Sequence, residues 1–125
     1  MQHTLSRIAI IAARLAGTAA LIIGLMLWFG QGGALIHAHM GTGALLVLAL
    51  WLLGVLALKA KPGAAILALV WGVVTLALGI FQGALLPGEY HWVVQAGHLL
   101  VGVSAIVQTE KLAAALGAQR AAQAA

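Results

Sequence analysis

Four apolar stretches follow one another with short breaks: Ile8 to Phe29, Ala34 to Leu58, Gly63 to Leu86 and Tyr90 to Val107. Each approaches or exceeds the roughly 20 residues that an α-helix needs to cross a hydrocarbon core. A chain in lipid must satisfy its backbone polar groups internally, which leaves helices or a closed barrel. No segment alternates apolar with polar residues, so a barrel is excluded. The last stretch is the shortest, but Ala and Leu carry helix propensity on towards Leu116, ahead of Gly117. The expected fold is all-α: one integral membrane four-helix bundle over residues 1–125, with helices about 8–29, 34–58, 63–86 and 90–107 or longer, and a short Ala-rich cytoplasmic tail.

Composition points the same way, with 64% hydrophobic and 6% charged residues, against roughly one-quarter charged in soluble domains. Arg14 interrupts the first apolar run, and that run is long for a signal h-region, so it reads as a retained first helix. There is no cysteine, which removes disulfides, thiolate metal sites and iron–sulfur ligands.

The cations fix an expected orientation. Arg7 and Arg14 precede or enter the first helix, Lys59 and Lys61 separate the second and third, and Lys111 and Arg120 follow the fourth. The loops at Gln31 to Gly33 and Pro87 to Glu89 carry no Lys or Arg. Both termini are therefore expected in the cytoplasm, which in a bacterium means a multi-pass inner-membrane protein. The formal charge of +4 then reflects membrane topology, and no motif supports a nucleic-acid partner.

Phe29-Gly30-Gln31-Gly32-Gly33-Ala34-Leu35 resembles Phe81-Gln82-Gly83-Ala84-Leu85, and each is followed by a histidine with glycine four residues on, His39 with Gly43 and His98 with Gly102. Both hairpins would start on the same side, which describes two parallel two-helix repeats about a pseudo-twofold axis along the membrane normal. Such an axis puts His39 and His98 at one depth. Counted from the outer side, His39 lies five residues past Ala34 and His98 six past Trp92, roughly 8 to 9 Å in. Counted from the inner side, His39 is 20 residues from Lys59 and His98 is 12 from Glu110, a disagreement of roughly 12 Å. The outer count is preferred because Trp92 suits an interfacial anchor.

An imidazole inside a membrane calls for a partner. Iron accepts axial imidazoles, and a four-helix bundle can hold a flat macrocycle between two helices that each supply one ligand. His39 and His98 are the expected haem iron ligands, with Gly43 and Gly102 clearing space for the porphyrin face. Without a CxxCH sequence the cofactor would be a non-covalent haem b. The competing account is that each histidine bonds a neighbouring helix as packing glue.

His37 lies about 200° around the helix from His39, so both cannot face one cofactor. His91 sits near the outer surface, where contact with a propionate, a metal site with Glu89 and His37, or simple solvation are open to it; solvation is preferred because no zinc-like spacing is present. Arg14, two turns into the first helix, either pairs with Glu110 or snorkels to headgroups, and snorkelling is preferred. Trp28, Trp51, Trp71 and Trp92 read as anchors or packing.

Gly79-Ile80-Phe81-Gln82-Gly83-Ala84-Leu85 with Gln95-Ala96-Gly97-His98, and His39-Met40-Gly41-Thr42-Gly43-Ala44-Leu45-Leu46, resemble the repeated half-domain of haem A synthases. The resemblance implies two haem-ligating histidines on the second and fourth helices, with this chain similar to a half-length, four-helix member. It also marks two departures. The family carries a glutamate three residues before the first ligand histidine, where this chain has Ile36, and the outer-loop cysteine pair of many members is missing.

Three functions follow as expectations. The first is a b-type cytochrome that passes electrons, with quinol or a redox subunit as partner. The others are a haem-modifying enzyme like haem A synthase and a cofactor-free accessory subunit. Lipid surrounds the chain in every case, and a homodimer or larger membrane complex is compatible with each. The two carboxylates are far apart in sequence and no P-loop occurs, which leaves hydrolase and nucleotide chemistry unsupported. Topology is testable by cysteine labelling at positions 2 and 88: position 88 should react from the periplasm, and reaction of position 2 from that side would refute the orientation.

Overall fold

The computed structural model describes residues 2–124. Four long helices, α1 (Gln2–Trp28), α2 (Ile36–Ala57), α3 (Pro62–Phe81) and α4 (His91–Ala124), account for almost all of it, with short 3-10 turns at Gly33–Leu35 and Gln82–Ala84 and no strand among the described residues. All four are long and apolar enough to cross a membrane. Their outward faces carry large exposed aliphatics such as Ile11, Leu15, Leu48, Val55, Ile66 and Val73, as expected where lipid is the solvent.

The helix ends differ from expectation for identifiable reasons. α1 starts at Gln2, six residues before Ile8, because its first turns pack: Ser6 is buried and its hydroxyl accepts from Arg120 Nη1 at 2.9 Å. α4 runs to Ala124, so the Ala-rich segment is a continuation of the helix; Leu112 and Leu116 anchor it in the core, and Gly117 costs only about 1 kcal/mol inside a helix. α3 starts at Pro62, whose missing N–H is harmless in a first turn, and it ends well before Leu86. In the α1–α2 loop, Gly30 and Gly32 hold φ of 73° and 76°, a conformation open to glycine at little cost.

α2 and α4 touch each other, and each touches both α1 and α3; α1 and α3 do not meet among the described residues. The central pair presents matching stripes, Leu46, Leu50, Leu53 and Ala57 on α2 and Ala105, Thr109, Leu112 and Leu116 on α4, in alternating steps of four and three. Facing them are small residues, Ala9, Ala13, Ala16 and Ala20 on α1 and Ala65, Ala68, Gly72 and Thr75 on α3. Small side chains let backbones come close, which is how helices gain contact in lipid. Two indoles tie helices to backbone carbonyls: Trp51 Nε1 donates to Leu69 O at 3.0 Å and Trp71 Nε1 to Val101 O at 3.1 Å.

A methyl group at Gly17 would meet both Ile106 and Leu46, so these residues share one level. His39 and His98 lie seven and eight residues from that level and are level with each other. The inner-side count failed because Glu110 does not mark a helix end: α4 runs on to Ala124. The core occupies the half nearer Lys59 and Lys61. Towards the histidines, buried residues stop at Ala20 on α1, Leu46 on α2 and Thr75 on α3, and α4 buries only Val94 beyond Ala105.

A Cβ at Gly72 would overlap the Trp51 indole. Gly72→Ala should therefore lower stability by about 1–3 kcal/mol, measured by denaturation in mixed micelles, whereas Gly63→Ala, with open space around its Cβ, should be neutral.

Candidate functional site

The seams of α2 and α4 continue into the half without a core. One constant shift along the sequence that superposes Leu46 on Ala105 and Leu53 on Leu112 also superposes Gly43 on Gly102 and His39 on His98. The imidazoles therefore point along the interior seam, and their ring centroids are 6.0 Å apart with planes inclined by 71°.

Each imidazole lies against a glycine of the preceding helix. A Cβ at Gly24 would sit 2.9 Å from His39 Cε1, and one at Gly79 would sit 3.4 Å from His98 Cε1. His39 Nδ1 is 3.0 Å from the carbonyl oxygen of Ala20, one turn before Gly24. A carbonyl only accepts, so Nδ1 is the donor, and in the neutral ring Nε2 then bears the lone pair. His98 Nδ1 is buried and has no hydrogen-bond partner among the described residues. Thr75, one turn before Gly79, is the positional counterpart of Ala20, and its hydroxyl donates to Trp71 O at 2.8 Å.

A Cβ at Gly43 or Gly102 would meet nothing within 4 Å, as is also true at Gly41 and Gly97 on the same helices. Two imidazoles converge, and no group of three or more His, Cys, Asp or Glu side chains suited to a metal ion exists among the described residues. The pair cannot complete a tetrahedral ion site by itself. It can complete the axial positions of a metal whose other ligands arrive with it.

Other sequence candidates fall away from this pair. His37 is exposed on α2, and Glu89 is exposed in the α3–α4 loop. His91 is not merely solvated, since its Nδ1 lies 3.1 Å from Leu85 O. It forms no metal group with Glu89 and His37. The snorkelling expectation for Arg14 is overturned: its guanidinium grips Glu110 through Nε–Oε1 at 2.7 Å and Nη2–Oε2 at 2.8 Å, a bidentate pair linking α1 to α4.

Sequence reasoning missed Ala20, Gly24, Thr75 and Gly79 as the walls behind the histidines. A signal was present: Gly17, Ala20 and Gly24 have the same spacing as Gly72, Thr75 and Gly79. Comparison with protein-family models, with curated proteins and with solved structures gives no match to the chain.

Histidine side-chain NMR of the cofactor-free protein tests this geometry. His39 should be chiefly the Nδ1–H tautomer, and Gly24→Ala should perturb its signals more than Gly79→Ala perturbs those of His98. A dominant Nε2–H tautomer at His39 would contradict the Ala20 contact.

Proposed function

We propose that the protein is a membrane b-type haem protein whose His39 and His98 bind one iron from opposite sides, and that it transfers electrons. The ring separation carries this reading. A metal–imidazole bond is about 2 Å, and a nitrogen lies about 1.2 Å from the centroid of a five-membered ring with such bond lengths. Two imidazoles that shared one metal ion would thus have centroids about 6.4 Å apart, within about half an ångström of the observed 6.0 Å. The donor set offered is the two imidazoles, one from α2 and one from α4. The open space at Gly43 and Gly102 suits the reading too.

A haem held by His39 and His98 would supply one-electron chemistry. The protein's own part is to fix the ligands: the Ala20 carbonyl orients His39 and leaves Nε2 free to ligate, as outer-shell acceptors commonly do for metal-bound histidine. The matching seams and matching glycine walls support an arrangement of two parallel helix-pair repeats in a four-helix bundle. Arg7, Lys59, Lys61 and Arg120 favour cytoplasmic termini in an inner membrane.

Electron transfer is favoured over haem modification, the reading the resemblance to haem A synthases suggests. Ile36, one turn from His39, offers no carboxylate, and Glu89 is a solvent-exposed loop residue. Without a positioned acid or base, oxidation of a substrate methyl group loses about 10²- to 10⁴-fold in rate.

Purified protein should show a Soret band and a reduced α-band. His39→Ala and His98→Ala should each abolish or strongly alter the low-spin spectrum, while His37→Ala and His91→Ala leave it intact; the reverse pattern would reject the ligand pair. Expressed in cells that make haem O but lack their own synthase, the chain should yield no haem A, and its appearance would establish the enzyme reading instead.

A further inference from the structure

The one ion pair among the described residues, Arg14 with Glu110, lies deep in the apolar zone. From Leu46, α2 runs ten residues towards the histidine end and eleven towards Lys59, about 15 and 16 Å. The level shared by Gly17, Leu46 and Ile106 is therefore the middle of a hydrocarbon core of roughly 30 Å. Arg14 is three residues from Gly17 and Glu110 four from Ile106, both towards the Lys59 end, about 4.5 and 6 Å from that middle. Both charges are thus about 10 Å short of the nearer boundary. They also face outward: their side chains are 61% and 42% exposed, on the perimeter of the bundle where α1 meets α4.

Charges inside a membrane almost always face a bundle interior or a water-filled cavity. Snorkelling is closed to Arg14, because the bidentate grip holds its guanidinium beside the Glu110 carboxylate. That grip leaves polar capacity over. A guanidinium has five N–H donors; Nε and one hydrogen of Nη2 are engaged by Glu110, which leaves three without a partner among the described residues. Each Glu110 oxygen accepts one of these bonds and keeps a further lone pair. An acyl chain supplies neither an acceptor nor a donor. What covers this face has to bring both, at nearly one depth.

A second copy of the chain meets that demand by symmetry. In an isologous pair, residue i of one subunit contacts residue j of the other, and j contacts i. Two copies inserted the same way round are related by an axis along the membrane normal, which preserves depth. Arg14 and Glu110 differ in depth by only about 1.5 Å, so each Arg14 finds the partner's Glu110 opposite it. The rest of the face is without charge near the pair: Ile11 and Thr18 lie one turn either side of Arg14, and Val107 and Ala114 either side of Glu110, all exposed.

We propose that two copies of this chain associate through the α1–α4 face, their Arg14–Glu110 pairs closing into a ring of four alternating charges. Each guanidinium then bridges its own carboxylate and the partner's. The assembly follows from the ion pair and its depth, and holds whether or not the histidines bind haem.

The test labels the full chain through Glu89→Cys, the sequence having no cysteine of its own, with donor or acceptor dye and reads energy transfer in liposomes over a range of lipid dilution. Wild type should associate reversibly, with transfer falling as lipid is added. The charge-exchanged variant Arg14→Glu/Glu110→Arg retains a pair within each chain and should associate with itself about as well. Mixed with wild type it sets like charges against each other at both contacts, so transfer between unlike chains should be weaker by about tenfold or more. Equal mixing of unlike chains would overturn the proposal, as would wild-type transfer no greater than random proximity gives. An independent arm needs no charge change: Thr18→Cys or Ala114→Cys should form a disulfide-linked dimer under mild oxidation, and Val73→Cys, on the outward face of α3, should not. Cross-linking at position 73 alone would place the contact elsewhere and reject this face.

Discussion

The site depends on how closely α1 approaches α2 and α3 approaches α4. Lipid is as apolar as leucine, so helices associate through close packing and interhelical hydrogen bonds. The stripe of Ala9, Ala13, Ala16, Gly17, Ala20 and Gly24 makes α1 a surface without bulk. Because residue 24 has no side chain, the His39 ring lies against the α1 backbone and reaches the Ala20 carbonyl at 3.0 Å. A larger residue would push the ring away and leave its N–H without an acceptor, a loss of about 1–3 kcal/mol in a buried setting.

The same seam serves two purposes along its length. Between Leu46 and Ala57 on α2, and between Ala105 and Leu116 on α4, it is filled and buried. One heptad further on, its positions are glycine and histidine, so the side chains that would make dispersion contacts are missing on both central helices at once. A region with few buried contacts has low local stability. A ligand that binds only the folded state at 100 times its Kd would contribute about 2.7 kcal/mol. On the haem reading, the cofactor stands where the core is absent, and the spare space at Gly43 and Gly102 and the converging imidazoles are two aspects of one arrangement.

Much of this was legible in the sequence because lipid permits so few solutions. Four apolar runs of spanning length dictated four helices, and the shared histidine-to-glycine interval picked out the two rings that the fold brings together. What escaped sequence reasoning was carried by small residues, whose meaning is the approach of another chain segment. Gly24 and Gly79 could be seen as part of an apolar run, but not as walls behind histidines fifteen and nineteen residues later. Hydropathy placed the start of the first helix too late and anticipated the fourth only as far as Leu116. The mostly polar segment Gln2 to Arg7 looks like a flank, yet Ser6 continues the packed seam, as Leu112 and Leu116 do on α4. The pairing of Arg14 with Glu110 depends on α1 and α4 lying side by side, which residue spacing alone does not specify.

The two hairpins are alike in pattern but not in how they are fastened. In the first, the contact of α1 with α2 includes the His39–Ala20 hydrogen bond, so that imidazole both faces its partner ring and joins two helices. In the second, a different residue joins the helices: Trp71 of α3 donates its indole N–H to Val101 O of α4. Thr75 meanwhile turns its hydroxyl back to Trp71 O within its own helix. With that contact already made, His98 is not required to hold α4 against α3, and its Nδ1 is left without a partner. An unpaired buried ring nitrogen is a cost that packing alone gives no reason to retain. The two histidines therefore weigh differently between the structural and the functional account. His39 is intelligible as packing glue, whereas His98 makes no hydrogen bond at Nδ1 to a neighbouring helix and packs towards the ring of His39.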